Sequence, residues 1–263
     1  MNKTKIDWAD MTWNPVTGCL HGCKYCYARK IANRFGGKYL PYGDNLNVIE
    51  KPFDGEKGID PYPFKFEPTF HKYRLDEPQK TKKPQNIFVC SMADLFGEWV
   101  PDEWIKQVFE ACEKAPQHRY LFLTKNPKRY RELRLNNMLP LNKNMWYGFT
   151  MSNSADTLKW YSMPYEKDTK NQFVSIEPIV CDIYNDFIKT VSKDSKMANW
   201  IIVGAETGNR KGKVIPKREW IENIVEDCRN RKVPVFMKES LKELMGDDFV
   251  QEFPWEAQKN DYT

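Results

Sequence analysis

Short, nearly unbroken apolar runs recur along this sequence, and they restrict its fold more than any other feature. They are Ile87–Ser91 (IFVCS), Tyr120–Thr124 (YLFLT), Trp146–Thr150 (WYGFT), Phe173–Ile176 (FVSI), Trp200–Gly204 (WIIVG) and Val235–Met237 (VFM). A strand with one face in water alternates apolar and polar residues, whereas an unbroken run suits a strand covered on both faces. Met11–Asn14 adds a short strand ahead of these. The segments between them have helical spacing. Tyr27, Ala28, Ile31, Ala32 and Phe35 fall at i, i+1, i+4, i+5 and i+8. Trp104, Ile105, Val108, Phe109 and Cys112 repeat that pattern, as do Trp220, Ile221, Ile224, Val225 and Cys228. Each set is the apolar stripe of a helix lying on a sheet. Strand and helix in alternation call for parallel pairing with right-handed crossovers. Six to seven parallel strands predict an α/β fold, a partial or complete (β/α) barrel, with a doubly wound sheet as the alternative. One domain is expected over residues 1–263.

Gly36 to Gln85 breaks the rhythm. The segment is rich in Pro, Gly, Tyr and Lys, includes PYPFKFEPTFHKYRLDEP, and is too long for an ordinary strand-to-helix connection. It reads as an insertion over residues 36–85, with an edge strand near Phe64–Phe70 and a place covering the site. The tail beyond Pro254 is polar and expected to fray. No apolar run approaches the roughly 20 residues needed to span a bilayer, so no membrane partner is expected. The opening MNKTKIDWAD has no apolar export segment. Seven cysteines in that setting read as reduced thiols of a cytoplasmic protein. The net charge of +5 permits a polyanionic partner without requiring one.

Three of the seven cysteines, Cys19, Cys23 and Cys26, fall within eight residues at the spacing C-x3-C-x2-C. A closed zinc site wants four ligands and a disulfide framework an even count, so something else must complete this site. Gly18 and Gly22 allow the tight turns of a loop wrapped around an inorganic core. Three thiolates on a four-iron cubane leave one iron open for a reacting ligand. The alternatives are zinc with a distant fourth ligand such as His21 or Cys181, or three unconnected thiols.

Cys-x3-Cys-x-aromatic-Cys, with Tyr25 as the aromatic, resembles the cluster motif of the radical SAM superfamily. The flanking IDWADMTWNPVTGC, with SMADLF, LTKNP, SIEP, VGAETG and FMKE, is similar to a phage-associated branch of radical-SAM-like proteins. These blocks fall at predicted strand ends, where an α/β barrel carries its site. The resemblance implies a [4Fe-4S] cluster on Cys19, Cys23 and Cys26, with S-adenosylmethionine chelated to the open iron through its amino and carboxylate groups. It further implies one-electron cleavage of S-adenosylmethionine to methionine and a 5′-deoxyadenosyl radical, which takes hydrogen from a substrate. The electron would come from a donor such as flavodoxin or ferredoxin. The rival reading is a non-catalytic zinc or iron–sulfur module.

The same resemblance distributes the other site residues. The superfamily ends its second strand in a Gly-Gly-Glu-like turn that holds the methionine amino group. This chain has Ser91-Met92-Ala93-Asp94 there, so Ser91 and Asp94 are candidate cofactor contacts, with a capping role as the alternative for Asp94. Glu177 and Glu206 follow apolar strands and suit ribose hydroxyls, the ammonium or substrate. Gly204 lets the backbone approach adenine, and Tyr25 is placed on the adenine side. Lys125 and Lys238 suit the methionine carboxylate or a substrate phosphate. Cys181, just past SIEP, is a candidate hydrogen donor to a substrate radical. Cys112 and Cys228 belong to helix stripes, Cys90 to a strand in the core, and His21 to a solvated loop. The basic run from Lys125 to Arg134 is a candidate phosphate contact. With the net charge and the Tyr/Lys-rich insertion, it points to a nucleic acid or nucleotide substrate, ahead of a peptide or small metabolite.

Overall fold

Seven parallel strands follow one another across a sheet in chain order: β1 (Met11–Trp13), β2 (Asn86–Val89), β3 (Arg119–Thr124), β4 (Met145–Thr150), β5 (Gln172–Ile176), β6 (Trp200–Val203) and β7 (Val235–Met237). A two-residue strand, Asn2–Lys3, adds antiparallel to β1 and completes the eight-stranded sheet. The structure, a computed structural model, describes residues 1–37, 47–55, 58–163, 171–184 and 198–257. The helices that bear on the site are α1 (Tyr27–Phe35), α2 (Asp102–Glu113), α3 (Lys128–Leu135) and α4 (Arg218–Asn230).

The unbroken apolar runs have the expected cause. Within each strand alternate residues serve two different cores. Ile87, Phe122, Tyr147, Val174 and Ile201 pack with Ile105 and Phe109 of α2 and Ile221 and Ile224 of α4. Their neighbours Phe88, Leu121, Trp146, Phe173, Trp200 and Phe236 gather on the opposite face around Trp8. The Trp8 ring lies 4.6 Å from Phe88 on β2 and 6.4 Å from Trp200 on β6. In a flat sheet, strands four places apart would be separated by about 19 Å. One indole touches both, so the sheet curls around it. The curl does not close. Among the described residues no ladder joins β7 to the β1 edge, so the complete barrel is not formed and the sheet is open.

Three expectations are corrected. Thr69–His71 is not an edge strand but the middle of a small sheet, antiparallel to Val16–Thr17 and parallel to Asn47–Ile49. Pairing on both sides was invisible in a segment without alternation. The insertion thereby grips the cysteine loop: Cys19 N–H donates to Phe66 O at 3.2 Å. Gly18 has φ +87°, and a Cβ there would meet Glu67 O at 2.2 Å, so only glycine fits this approach. The α1 stripe is not buried as a whole. Only Ala28 and Ala32 are covered, against Phe66 and Met92, while Tyr27 and Phe35 are 51% and 58% exposed. Cys90 is buried but stands one residue past β2 at φ +60°, in a turn rather than a strand. Residues 38–46 and 56–57 of the insertion, and the tail from 258, lie outside the described residues. Among the described residues no helix is long and apolar enough to cross a membrane.

Candidate active site

The carboxyl ends of β2 to β7 and the cysteine loop enclose a cavity of about 380 Å³, within the roughly 300–1,000 Å³ of small-molecule sites. Cys19, Cys23, Tyr25, Cys26, Ser91, Asp94, Lys125, Glu177, Glu206 and Lys238 all line it. Parallel pairing in chain order brings these distant positions together, because every strand of such a sheet ends on the same edge.

Cys26 caps α1, its Sγ accepting from Arg29 N–H at 3.3 Å. Arg29 returns along the loop to donate to Cys19 O at 3.1 Å and lies over the Phe66 ring. Burial pushes the Cys19 thiol up to about 12, and Asp94, Cys23 and Cys26 act in the same direction. Burial also raises the Cys23 thiol, with Lys125 pulling the other way. The thiols thus lie within electrostatic reach of one another. Among the described residues, however, no three Cys, His, Asp or Glu side chains are grouped to hold one metal ion. A mononuclear zinc centre needs its donors about 2.0–2.3 Å from a single point. A cubane distributes its thiolates over different irons and does not ask for that grouping.

His21 is not a solvated loop residue. Its Nε2 donates to Asp94 Oδ2 at 2.7 Å, and its ring meets the Trp99 ring edge-on at 4.9 Å. Asp94, 5% exposed, is fully engaged. Its Oδ1 accepts from Thr124 Oγ1 at 2.7 Å and Phe96 N–H at 3.0 Å; its Oδ2 accepts from His21 and from Lys125 N–H at 2.9 Å. The bond to Phe96 N–H closes a local turn; no helix starts there, since α2 begins at Asp102. One carboxylate therefore ties the cysteine loop to the ends of β2 and β3.

On the far side of the loop, Lys125 Nζ donates to Tyr25 Oη at 3.2 Å, and Tyr25 Oη and Ser152 Oγ share a hydrogen bond of 3.1 Å in which either hydroxyl can donate. Lys125 has no carboxylate partner among the described residues. Glu177 and Lys238 form an ion pair, and Lys238 Nζ stands 3.9 Å from Asp7 Oδ1. Asp7 in turn accepts from Glu239 N–H at 2.7 Å, which fixes the segment before β1 against the end of β7. Glu206 is held by both Arg210 Nε (2.6 Å) and Nη2 (2.7 Å), and that guanidinium keeps its carboxyl below the usual range.

Residues 3–247 match a family described as protein of unknown function, DUF5131. The chain belongs to that family. None of the curated proteins matches it. Solved structures do: spore photoproduct lyase complexed with dinucleoside spore photoproduct gives a TM-score of 0.52 at 11% identity, over 90% of this chain and 79% of the other. A point mutant of that lyase with the same dinucleoside gives 0.51 at 12% identity, with the same coverage. At such identities the shared property is the fold.

Two of the candidate residues stand apart from the DUF5131 cavity. Gly204 is not in its lining, because the Lys238 side chain lies over its Cα, and a Cβ would meet Lys238 Cδ at 2.9 Å. Its small size serves that side chain. Cys181 is partly buried and packs against the helix-side core. Within the basic run, Lys128 pairs with Glu132 at 3.3 Å, and Arg129 with Asp102 at 2.6 Å. His21, Ser152, Asp7 and Arg210 were not singled out as site residues from the sequence. A lone histidine, a lone serine and charges off the strand ends carry no spacing signal, and only the fold brings them in.

Proposed function

We propose that this DUF5131 protein is a radical SAM enzyme acting on a nucleic acid or nucleotide. The observation that carries the reading is the placement of three coupled thiols, on one loop, at the wall of a ligand-sized cavity on the carboxyl edge of a curved parallel sheet. The fold likeness to spore photoproduct lyase, a radical SAM enzyme, supports it, and the dinucleoside in that structure supports the substrate class. Cys19, Cys23 and Cys26 would hold the [4Fe-4S] cluster. When bound, cluster and S-adenosylmethionine supply reductive cleavage of a carbon–sulfur bond and a radical that takes hydrogen from the substrate.

The chain's own residues have simpler tasks. Lys125, a cation without a carboxylate partner among the described residues, would meet the methionine carboxylate, with Tyr25 and Ser152 fixing its direction. The Glu177–Lys238 pair would offer both a donor and an acceptor to ribose hydroxyls. Asp94 and His21 would hold the cysteine loop in place. Ser91 lies along the wall with its hydroxyl on Asn14 Oδ1 at 3.2 Å. The aromatic and aliphatic wall, from the buried Trp8 and Phe88 and the partly buried Leu123, would exclude water from the reacting groups. A flavodoxin- or ferredoxin-like donor would supply the electron. The test is anaerobic reconstitution with iron and sulfide, then reduction with S-adenosylmethionine. A brown protein with four irons, whose EPR signal changes on adding S-adenosylmethionine and which releases 5′-deoxyadenosine, is the expected result. A colourless protein that takes up one zinc would overturn the reading.

A further inference from the structure

Two segments at the cavity mouth carry cations and no carboxylates. Residues 18–37, the cysteine loop and α1, hold Lys24, Arg29, Lys30 and Arg34; residues 207–217 hold Arg210, Lys211, Lys213 and Lys217. They border one opening. Lys30 lines the cavity together with Glu206, Thr207 and Gly208, and the Glu206 carboxylate feels both Lys213 and Lys30. Three of the eight cations are engaged, Arg29 on the Cys19 carbonyl, Arg210 on Glu206 and Arg34 over the ring of its neighbour Phe35 at 5.1 Å. Arg34 and the other five belong to exposed residues and have no carboxylate partner among the described residues. Apolar side chains stand exposed between them: Tyr27, Ile31 and Phe35 on α1, and Ile215, 78% exposed, on the facing loop.

Like charges crowded around one opening repel each other, and a polyanion relieves that repulsion. The interleaved rings select among polyanions. A nucleic-acid strand offers phosphates at regular intervals and flat bases that stack on exposed aromatics. An acidic protein surface offers carboxylates but no such faces. We propose that this rim, formed by α1 and residues 207–217, binds the backbone of a single nucleic-acid strand and directs one nucleotide into the cavity. The proposal rests on the nucleotide reading of the substrate and relocates its electrostatic footprint. On α3, Lys128 and Arg129 are paired with carboxylates, whereas on the rim only Arg210 is, among the described residues.

Binding of a fluorescent single-stranded oligodeoxythymidylate, by anisotropy in low salt, tests it on protein carrying its cluster and S-adenosylmethionine. The variant Arg34→Glu/Lys211→Glu/Lys213→Glu leaves the cavity lining untouched. It should bind at least about tenfold more weakly, and its slope of log affinity against log salt should fall by about 2, three contacts at roughly 0.7 each. The α3 variant Lys128→Glu/Arg131→Glu should bind like wild type. Iron content and S-adenosylmethionine binding should be unchanged in both. Equal affinity for wild type and the rim variant, or a loss confined to the α3 variant, overturns the rim. If wild type loads its cluster and S-adenosylmethionine yet binds no oligonucleotide, the rim falls and the cofactor reading stands. If no cluster loads, the cofactor reading falls, and the same anisotropy comparison on the metal-free protein still decides the rim.

Discussion

Replacing Asp94 by Asn tests whether this carboxylate is a strut or a ligand. The side chains have the same shape, so the change alters only hydrogen-bonding capacity and charge. Each Asp94 oxygen accepts from one backbone N–H, Phe96 on Oδ1 and Lys125 on Oδ2. Those two donors cannot turn away. Whichever way an Asn amide is placed, its NH₂ faces one of them, so a buried N–H loses its acceptor and meets another donor. That group costs about 1–3 kcal/mol, and the remaining bonds fall from charge-assisted to neutral strength, which brings the expected loss to about 3–5 kcal/mol. At roughly 2–4 °C per kcal/mol for a chain of this size, the metal-free protein should melt about 10 °C lower. The assay is thermal unfolding by circular dichroism in metal-free buffer, with iron uptake measured separately. Thr124→Val removes one rotatable donor to Asp94 and the acceptor of Asn126 N–H, and should cost about 1–3 kcal/mol. An Asp94→Asn protein that melts within about 2 °C of wild type, yet no longer binds S-adenosylmethionine, would refute the strut and restore Asp94 as an ammonium contact.

Ala in place of Cys19, Cys23 or Cys26 should each abolish stable four-iron loading, counted as iron and sulfide per chain, while Cys112→Ala and Cys228→Ala load normally. Trp8→Ala removes the ring about which the sheet curls and should cost about 3–5 kcal/mol in urea unfolding; a smaller loss would mean the curvature is set elsewhere. Lys125→Met should leave iron content intact and weaken S-adenosylmethionine at least about tenfold by calorimetry, because a cation and its charge-assisted bond are lost. Arg210 holds the Glu206 carboxyl below its ordinary value, so this pair stabilises the loop above about pH 4.5 and lets go only as pH falls through the lowered value. Hydrogen exchange of residues 207–213 should therefore stay slow down to that pH, and Glu206→Gln should make it fast at neutral pH.

The fold was legible wherever both faces of an element are dictated by burial. All six apolar runs are strands, with ends shifted by at most two residues, because covered strands leave no polar position to confuse the pattern. The stripe of α1 misled because apolar spacing marks a helix but does not name what covers it. The insertion supplied Phe66 beneath its alanines, and Tyr27 and Phe35 were left outside. Strand ends pointed to the cavity wall, since parallel order alone puts them on one edge. They did not show how the charges there are committed. Glu177 and Glu206 followed strands as expected of ligands, but Lys238 and Arg210 hold them; Arg210 is only four residues on, whereas nothing in local spacing foretells Lys238, 61 residues from Glu177.

That commitment carries a consequence for what the cavity can accept. Its three lining carboxylates are all engaged: Asp94 by four donors, Glu177 by Lys238 and Glu206 by Arg210. Of its lining lysines, Lys238 is paired, while Lys125 and Lys30 have no carboxylate partner among the described residues. The surplus charge is therefore positive, and it sits at two depths, Lys125 beside the cysteines and Lys30 toward the rim. Each carboxylate on this wall already faces a donor, so a ligand's ammonium would have to share Asp94, Glu177 or Glu206 with the partner that holds it. A carboxylate or phosphate finds a cation at either depth. On the proposed reading, Lys125 would attract the carboxylate of S-adenosylmethionine, and a phosphate-bearing substrate would enter past Lys30.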